Sequence, residues 1–119
     1  MKSWQDMMAE AKKEITLVDA AEVQKKLRQE EDFILIDCRE AEETRNGTIP
    51  KSVLIPRGVL EMTVERHFTN RDKPIIIYCA GGGRSALAAH ALKQMGYMQV
   101  ASMEGGFGHW EKSGFPTEK

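Results

Sequence analysis

The chain has 119 residues, 41% hydrophobic and 29% charged, with a formal net charge of −1; that is one domain with enough material for a core without staples. The charge balance gives no electrostatic footing on nucleic acid or an anionic membrane, and no apolar run is long enough to span a bilayer. Asp6, Glu10, Lys12, Lys13 and Glu14 exclude the apolar core of a secretion signal, so the two cysteines predict free thiols in a reducing cytoplasm.

Trp4, Met7, Met8, Ala11 and Ile15 recur at helical spacing, which predicts an amphipathic helix over residues 3–15 that docks on the domain or on a partner. Thr16 to Val18 reads as a short strand. Asp19 with Glu22 forms a capping box, and the helix it opens turns Val23 and Leu27 inward. Phe33 to Asp37 is a continuous apolar run ending in an acid, the pattern of a strand buried on both faces of a parallel sheet. A short helix over Glu40 to Arg45 is stopped by Asn46 and Gly47, a left-handed cap pair. Ser52 to Ile55 is a short strand ended by Pro56, and residues 58–67 form a helix with Leu60 and Val64 inward. Thr69 to Lys73 is a polar loop.

Pro74 to Ser85 is the most informative stretch: a buried strand, then Cys79, Ala80, three glycines, Arg84 and Ser85, then a helix to Met95. Its face of Ala88, Ala91, Leu92 and Met95 packs on the sheet, and Gly96 ends it. Val100 to Met103 is the last strand; Gly105 and Gly106 lead into a helix with Phe107 and Trp110 on one side, and Gly114 to Pro116 closes the chain. Strands alternating with helices predict an α/β fold with a mainly parallel sheet. Ligands of such sheets sit beyond the carboxyl ends of the strands, where Asp37, Cys38 and Cys79 fall.

A cysteine after a strand is commonly a small core residue. The glycine loop and the following helix argue otherwise, because backbone N–H groups and a helix dipole favour the reactive thiolate. Three glycines let the loop curl so that its amides converge as an anion nest. Ser85 adds a hydroxyl, and Arg84 a positive charge near the loop or a tie that holds it down. Neither the Gly-Lys-Ser/Thr end of an NTPase loop nor dinucleotide glycine spacing is present. His90 falls on a solvated position, His67 at a helix end where a cation is favourable, and His109 at most at the pocket rim, so the thiol needs no histidine. Cys38, Cys79 and the histidines show no metal-ligand spacing.

Four segments in this order resemble the rhodanese (sulfurtransferase) family: Asp37-Cys38-Arg39-Glu40 with Glu42 and Glu43; Gly47-Thr48-Ile49-Pro50 with Ile55-Pro56; Cys79 to Ser85; and Glu104 to Phe107 with Trp110 and Gly114-Phe115-Pro116. The resemblance implies a rhodanese-like three-layer α/β fold with a five-stranded, mainly parallel sheet over residues 15–119, after a helical extension over 1–14. It implies that Cys79 takes sulfane sulfur from a donor such as thiosulfate, holds it as a persulfide, and passes it to cyanide, a thiol or a sulfur-accepting protein. Ala80, Gly81, Gly82, Gly83, Arg84 and Ser85 would bind substrate, with Asp37 and Arg39 supporting the loop. No cofactor, metal, nucleic acid or membrane is implied, and the chain is expected to be a cytoplasmic monomer or homodimer.

Two other readings stay open: a sulfur carrier or regulatory module with little turnover, and a phosphatase or arsenate reductase using the same loop. Related dual-specificity phosphatases have one more residue between cysteine and arginine than the four here, a wider cradle suited to phosphate. The chain departs from the resembled pattern at Thr44, often aromatic, at Thr48, commonly histidine, and at Lys51-Ser52, commonly Gly-Ala. Cys38 replaces an aliphatic residue and is either a small core residue or a second thiol beside Cys79 that resolves a persulfide or forms a disulfide. Asp37 is expected to accept from loop amides, Arg39 to pair with Glu42 or Glu43, and Arg57 to line the pocket mouth or face solvent.

Overall fold

The two unbroken apolar runs lie side by side at the centre of one sheet. The computed structural model describes residues 1–119 and has strands β1 (Thr16–Val18), β2 (Ile34–Asp37), β3 (Val53–Leu54), β4 (Ile75–Tyr78) and β5 (Val100–Met103). Their order is β1-β5-β4-β2-β3, and every pairing is parallel, so the sheet is wholly rather than mainly parallel. Strands covered on both faces have no solvated side, which is why β2 and β4 read as continuous Ile and Leu.

Parallel neighbours need crossovers, and helices supply them. Helices α2 (Ala20–Arg28) and α5 (Gly106–Lys112) bury Ala20, Val23, Phe107 and Trp110 against one face. Helices α3 (Leu60–His67) and α4 (Gly83–Gln94) bury Leu60, Val64, Ala88, Ala89 and Leu92 against the other. The period of two divides β4 between them: Ile75 and Ile77, followed by Cys79, join the α3–α4 side, and Ile76 and Tyr78 the opposite side. The Asp19 capping box forms, with the Glu22 amide donating to the Asp19 carboxylate at 2.8 Å. No helix is long and apolar enough to cross a membrane.

Three local expectations change. The segment after β2 is a 3-10 helix, Ala41–Asn46, closed by Gly47 at φ 137° and ψ 159°, a positive-φ but extended conformation rather than the left-handed cap. That orientation serves a long-range bond, since the Gly47 carbonyl accepts from Arg39 at 2.8 Å. The buried face of α4 is Ser85, Ala86, Ala88, Ala89 and Leu92, with Ala91 and Met95 only half-buried. Helix α1 (Trp4–Lys13) explains the shift, because it packs along α4 and covers a second side of it. At Gly83 a Cβ would lie 2.7 Å from the Trp4 ring and 2.8 Å from Met8 Sδ, so α1 leans on the first residue of α4. Lys51 takes φ 69°, the left-handed region, where the resembled pattern commonly has glycine; a side chain there costs on the order of 1–2 kcal/mol.

Candidate active site

The carboxyl ends of β2, β4 and β5 meet at one edge of the sheet. The register pairs Asp37 with Tyr78, so the next residues, Cys38 and Cys79, stand side by side. The Cys38 amide continues the ladder, donating to the Tyr78 carbonyl at 2.9 Å. Cys79 is 1% exposed, whereas Ala80 and Gly81 are open to solvent. The sulfur therefore sits at the floor of the loop, reached through its rim.

Donors converge on Cys79 Sγ. The Gly82 amide donates at 3.1 Å, with Gly82 at φ 105° to make the turn. Ser85 Oγ lies 3.5 Å from the sulfur and 2.7 Å from Ser102 Oγ on β5. A proton given by Ser102 to Ser85 leaves the Ser85 proton for the sulfur. The neighbouring Cys38 thiol is the largest cause that draws Cys79 down to about 4; burial opposes it, and the Ser85 hydroxyl and the Ser85 and Gly82 amides reinforce it. Cys38 is pushed far up by the neighbouring Cys79 and then by burial, so it stays a thiol.

A lowered thiol pKa places the anion above that value and the neutral form below it. The thiolate absorbance lost on Cys79→Ser is thus expected to be full from about pH 5 upward and half-lost near pH 4, in an ultraviolet pH titration of both proteins. A midpoint near the ordinary thiol value of about 8.5 would show that the donors do not act on this sulfur.

The loop amides are turned inward by α5. Phe107 donates its amide to the Cys79 carbonyl at 2.8 Å and Gly108 to the Ala80 carbonyl at 3.1 Å. Because the peptide unit is planar and trans, the Ala80 and Gly81 N–H groups then point away from α5. The amides of Ala80, Gly81, Gly83 and Arg84 have no acceptor in the protein. Unpaired N–H groups at the amino end of α4 are an arrangement that suits an anion. The docking of α5 needs glycine at 106: φ is +57°, and a Cβ would lie 2.5 Å from the Cys79 and Ala80 carbonyl oxygens. Gly106→Ala is expected to cost at least about 2 kcal/mol by forced backbone displacement, read as a lower urea midpoint; an unchanged midpoint would refute the lock.

The charged residues settle differently from expectation. Arg84 ties the loop down: its guanidinium donates to both Glu43 oxygens, at 2.7 and 2.9 Å. Glu43 is held near 2, first by Arg84 and then by the Glu40 amide. Arg39 pairs with Asp37 at 2.8 Å, not with Glu42 or the Glu43 carboxylate, and its guanidinium also donates to the carbonyls of Glu43 and Gly47. Asp37 accepts from the Arg39 amide and side chain and from the Tyr78 hydroxyl, not from the Cys79 loop. Its two-residue separation from Arg39 suits a local turn, while the Cys79 loop lies on the other side of the sheet edge. Arg57 pairs with Glu61 at 2.7 Å, and its amide donates to the Cys38 carbonyl at 3.1 Å. His67 and His109 are exposed, His90 is half-exposed, and none hydrogen-bonds the loop through its ring.

Glu43 as the partner of Arg84, Ser102 behind Ser85, and Gly106 beneath the loop were not picked out from sequence. A signal exists only for Ser102, the one hydroxyl in the Val100–Met103 strand. Glu43 is one of several acids in its segment, and nothing local separates it from Glu40 or Glu42.

A wholly parallel three-layer domain with a cysteine-headed glycine loop at the carboxyl edge defines a class of anion-loop α/β proteins. Residues 19–113 match the model of the Rhodanese-like domain, and the chain belongs to that family. A sulfurtransferase of Allochromatium vinosum is 30% identical over 83% of this chain and 91% of its own length. The thiosulfate sulfurtransferase GlpE of Pseudoalteromonas translucida is 37% identical over 71% of this chain and 79% of its own. A solved structure from Rhodopseudomonas palustris, a protein of unknown function described as a "Possible Tyrosine Phosphatase", superposes with a TM-score of 0.92 at 35% identity, covering 99% of this chain and 96% of that one.

Proposed function

We propose that this protein moves sulfane sulfur through a persulfide on Cys79. The Cys79 thiolate attacks the outer sulfur of thiosulfate and sulfite leaves; a thiophile such as cyanide then takes the sulfur as thiocyanate and returns the thiolate. The observation that carries this reading is the convergence of the Ser85 and Gly82 donors on one sulfur beside four unpaired loop amides. Those amides suit a persulfide anion as an oxyanion hole suits an alkoxide. Relatives named sulfurtransferases support the same class.

The test is intact mass after incubation with thiosulfate. One added sulfur, about 32 Da, is expected on Cys79 by thiolate attack, held or then released as sulfide, with thiocyanate appearing when cyanide is present. No added sulfur, no sulfide and no thiocyanate, from thiosulfate or from glutathione persulfide, would overturn the reading.

One observation favours a second reading, a sulfur carrier served by a protein persulfide. Arg84 is already neutralised by Glu43, so the loop offers a thiosulfate dianion no unpaired cation. A high KM for thiosulfate with fast loading from a protein persulfide would select it. Against phosphate ester hydrolysis stand the same engaged arginine and the burial of Asp37 in its pair with Arg39. Para-nitrophenyl phosphate serves as the control substrate.

A further inference from the structure

We propose that Cys38 is a resolving thiol that discharges the Cys79 persulfide as hydrosulfide and leaves a Cys38–Cys79 disulfide; this rests on the persulfide reading above. Cys38 and Cys79 follow the paired residues Asp37 and Tyr78 on adjacent parallel strands. Neighbouring strands lie about 4.8 Å apart, inside the roughly 4.4–6.8 Å Cα separation that a disulfide spans. Both side chains join the same apolar cluster on one side of the sheet, and both are free thiols. With Cys38 fully buried and Cys79 1% exposed, external thiols have no path to the inner sulfur from the strand side.

The register already sets Cys38 beside the atom that would react. Cys38 and Cys79 stand next to each other on neighbouring strands and share one face, and Cys79 Sγ becomes the inner sulfur once Cys79 is loaded. Gly82 and Ser85 approach Sγ from the loop, and the amides that would receive the outer sulfur lie there too. The entering thiol and the departing sulfur therefore fall on different sides of Sγ. While Cys79 is a thiolate, it and then burial hold Cys38 protonated. Transfer moves the negative charge out to the terminal sulfur and weakens the first of these restraints.

The step balances without an outside oxidant. The Cys38 sulfur forms a bond to the inner sulfur of the persulfide anion, the inner–outer bond breaks, and the Cys38 proton leaves with the outer sulfur as hydrosulfide. The sulfane sulfur is reduced to sulfide and the two cysteines are oxidised to a disulfide. A dithiol reductant would restore both thiols and make the cycle a reductive one, with sulfide as product in place of transfer to a thiophile.

The experiment loads the native protein, Cys38→Ala and Cys38→Ser with thiosulfate or, in a parallel arm, glutathione persulfide, without reductant or cyanide. Intact mass, free sulfide and non-reducing peptide maps are followed in time. Both variants are expected to gain about 32 Da, more slowly than the native protein because Cys79 loses its largest activating neighbour, and to hold it. In the thiosulfate arm the native protein is expected to release one sulfide per chain and finish about 2 Da below its reduced mass, with a linked Cys38–Cys79 peptide. A native protein that keeps the added sulfur as long as the variants, with no sulfide and no linked peptide, overturns this proposal and leaves the persulfide reading standing. If no protein gains sulfur from either donor, both fail. The native peptide map decides the matter even if one variant does not fold.

Discussion

Cys79→Ser is expected to abolish sulfur transfer, with a loss of at least about a thousandfold in kcat/KM, as when a covalent nucleophile is removed. Serine keeps the size of the side chain and can still accept from the Gly82 amide that reaches Cys79 at 3.1 Å. It loses the chemistry, because the donors that bring the thiol down to about 4 act on a group whose ordinary value is about 8.5. A hydroxyl starts several decades higher and stays neutral, and its oxygen forms no persulfide. The check is a thiosulfate–cyanide assay beside intact mass, with a thermal melt close to that of the native protein to show that the fold is intact. Turnover retained in this variant would remove Cys79 from the role assigned to it.

Arg39→Ala is expected to produce the largest loss of stability, about 3–5 kcal/mol, the cost of leaving one member of a buried ion pair without its partner. Asp37 has no exposure and Arg39 only 4%. Without the guanidinium, Asp37 keeps only the Tyr78 hydroxyl and the residue 39 amide as donors. The carbonyls of Glu43 and Gly47 lose a donor, and the Phe107 ring loses the cation 4.3 Å from its centre. For a domain of this size the melting temperature should fall by roughly 10–20 °C. Sulfur transfer should fall as well, because Arg39 holds the segment that carries Glu43, and Glu43 holds Arg84 at the loop. Lysine cannot reproduce the fork that reaches Asp37 and two carbonyls at once, so Arg39→Lys should recover little. A melt within a few degrees of the native protein would show that the pair contributes no net stability.

The legible parts of this protein are those set by neighbours in sequence. The β2 and β4 runs, the Asp19 box, the stop at Gly96 and the Cys79 glycine loop depend on local period, capping and backbone freedom, and each stands where the chain predicts it. The extent of the α4 face did not, because its second buried side is created by α1, about eighty residues away in the chain. The short helix after β2 was legible as a helix but not as 3-10, since Arg39 draws the Glu43 carbonyl toward a buried ion pair with Asp37 that no local pattern announces.

By itself the sequence determines the order of strands and helices, a thiol facing backbone amides at a helix start, and an arginine within reach of that loop. Those follow from φ/ψ preference and periodicity, which act over a few residues. Only the tertiary structure decides what the charges and sulfurs do with one another. Electrostatics and hydrogen bonds act through space, and the parallel register brings residues 38 and 79 together while the folded edge gives Arg84 to Glu43 and Asp37 to Arg39. The cysteine that heads the glycine loop is thus written locally at Cys79, and the second thiol beside it arrives from another strand.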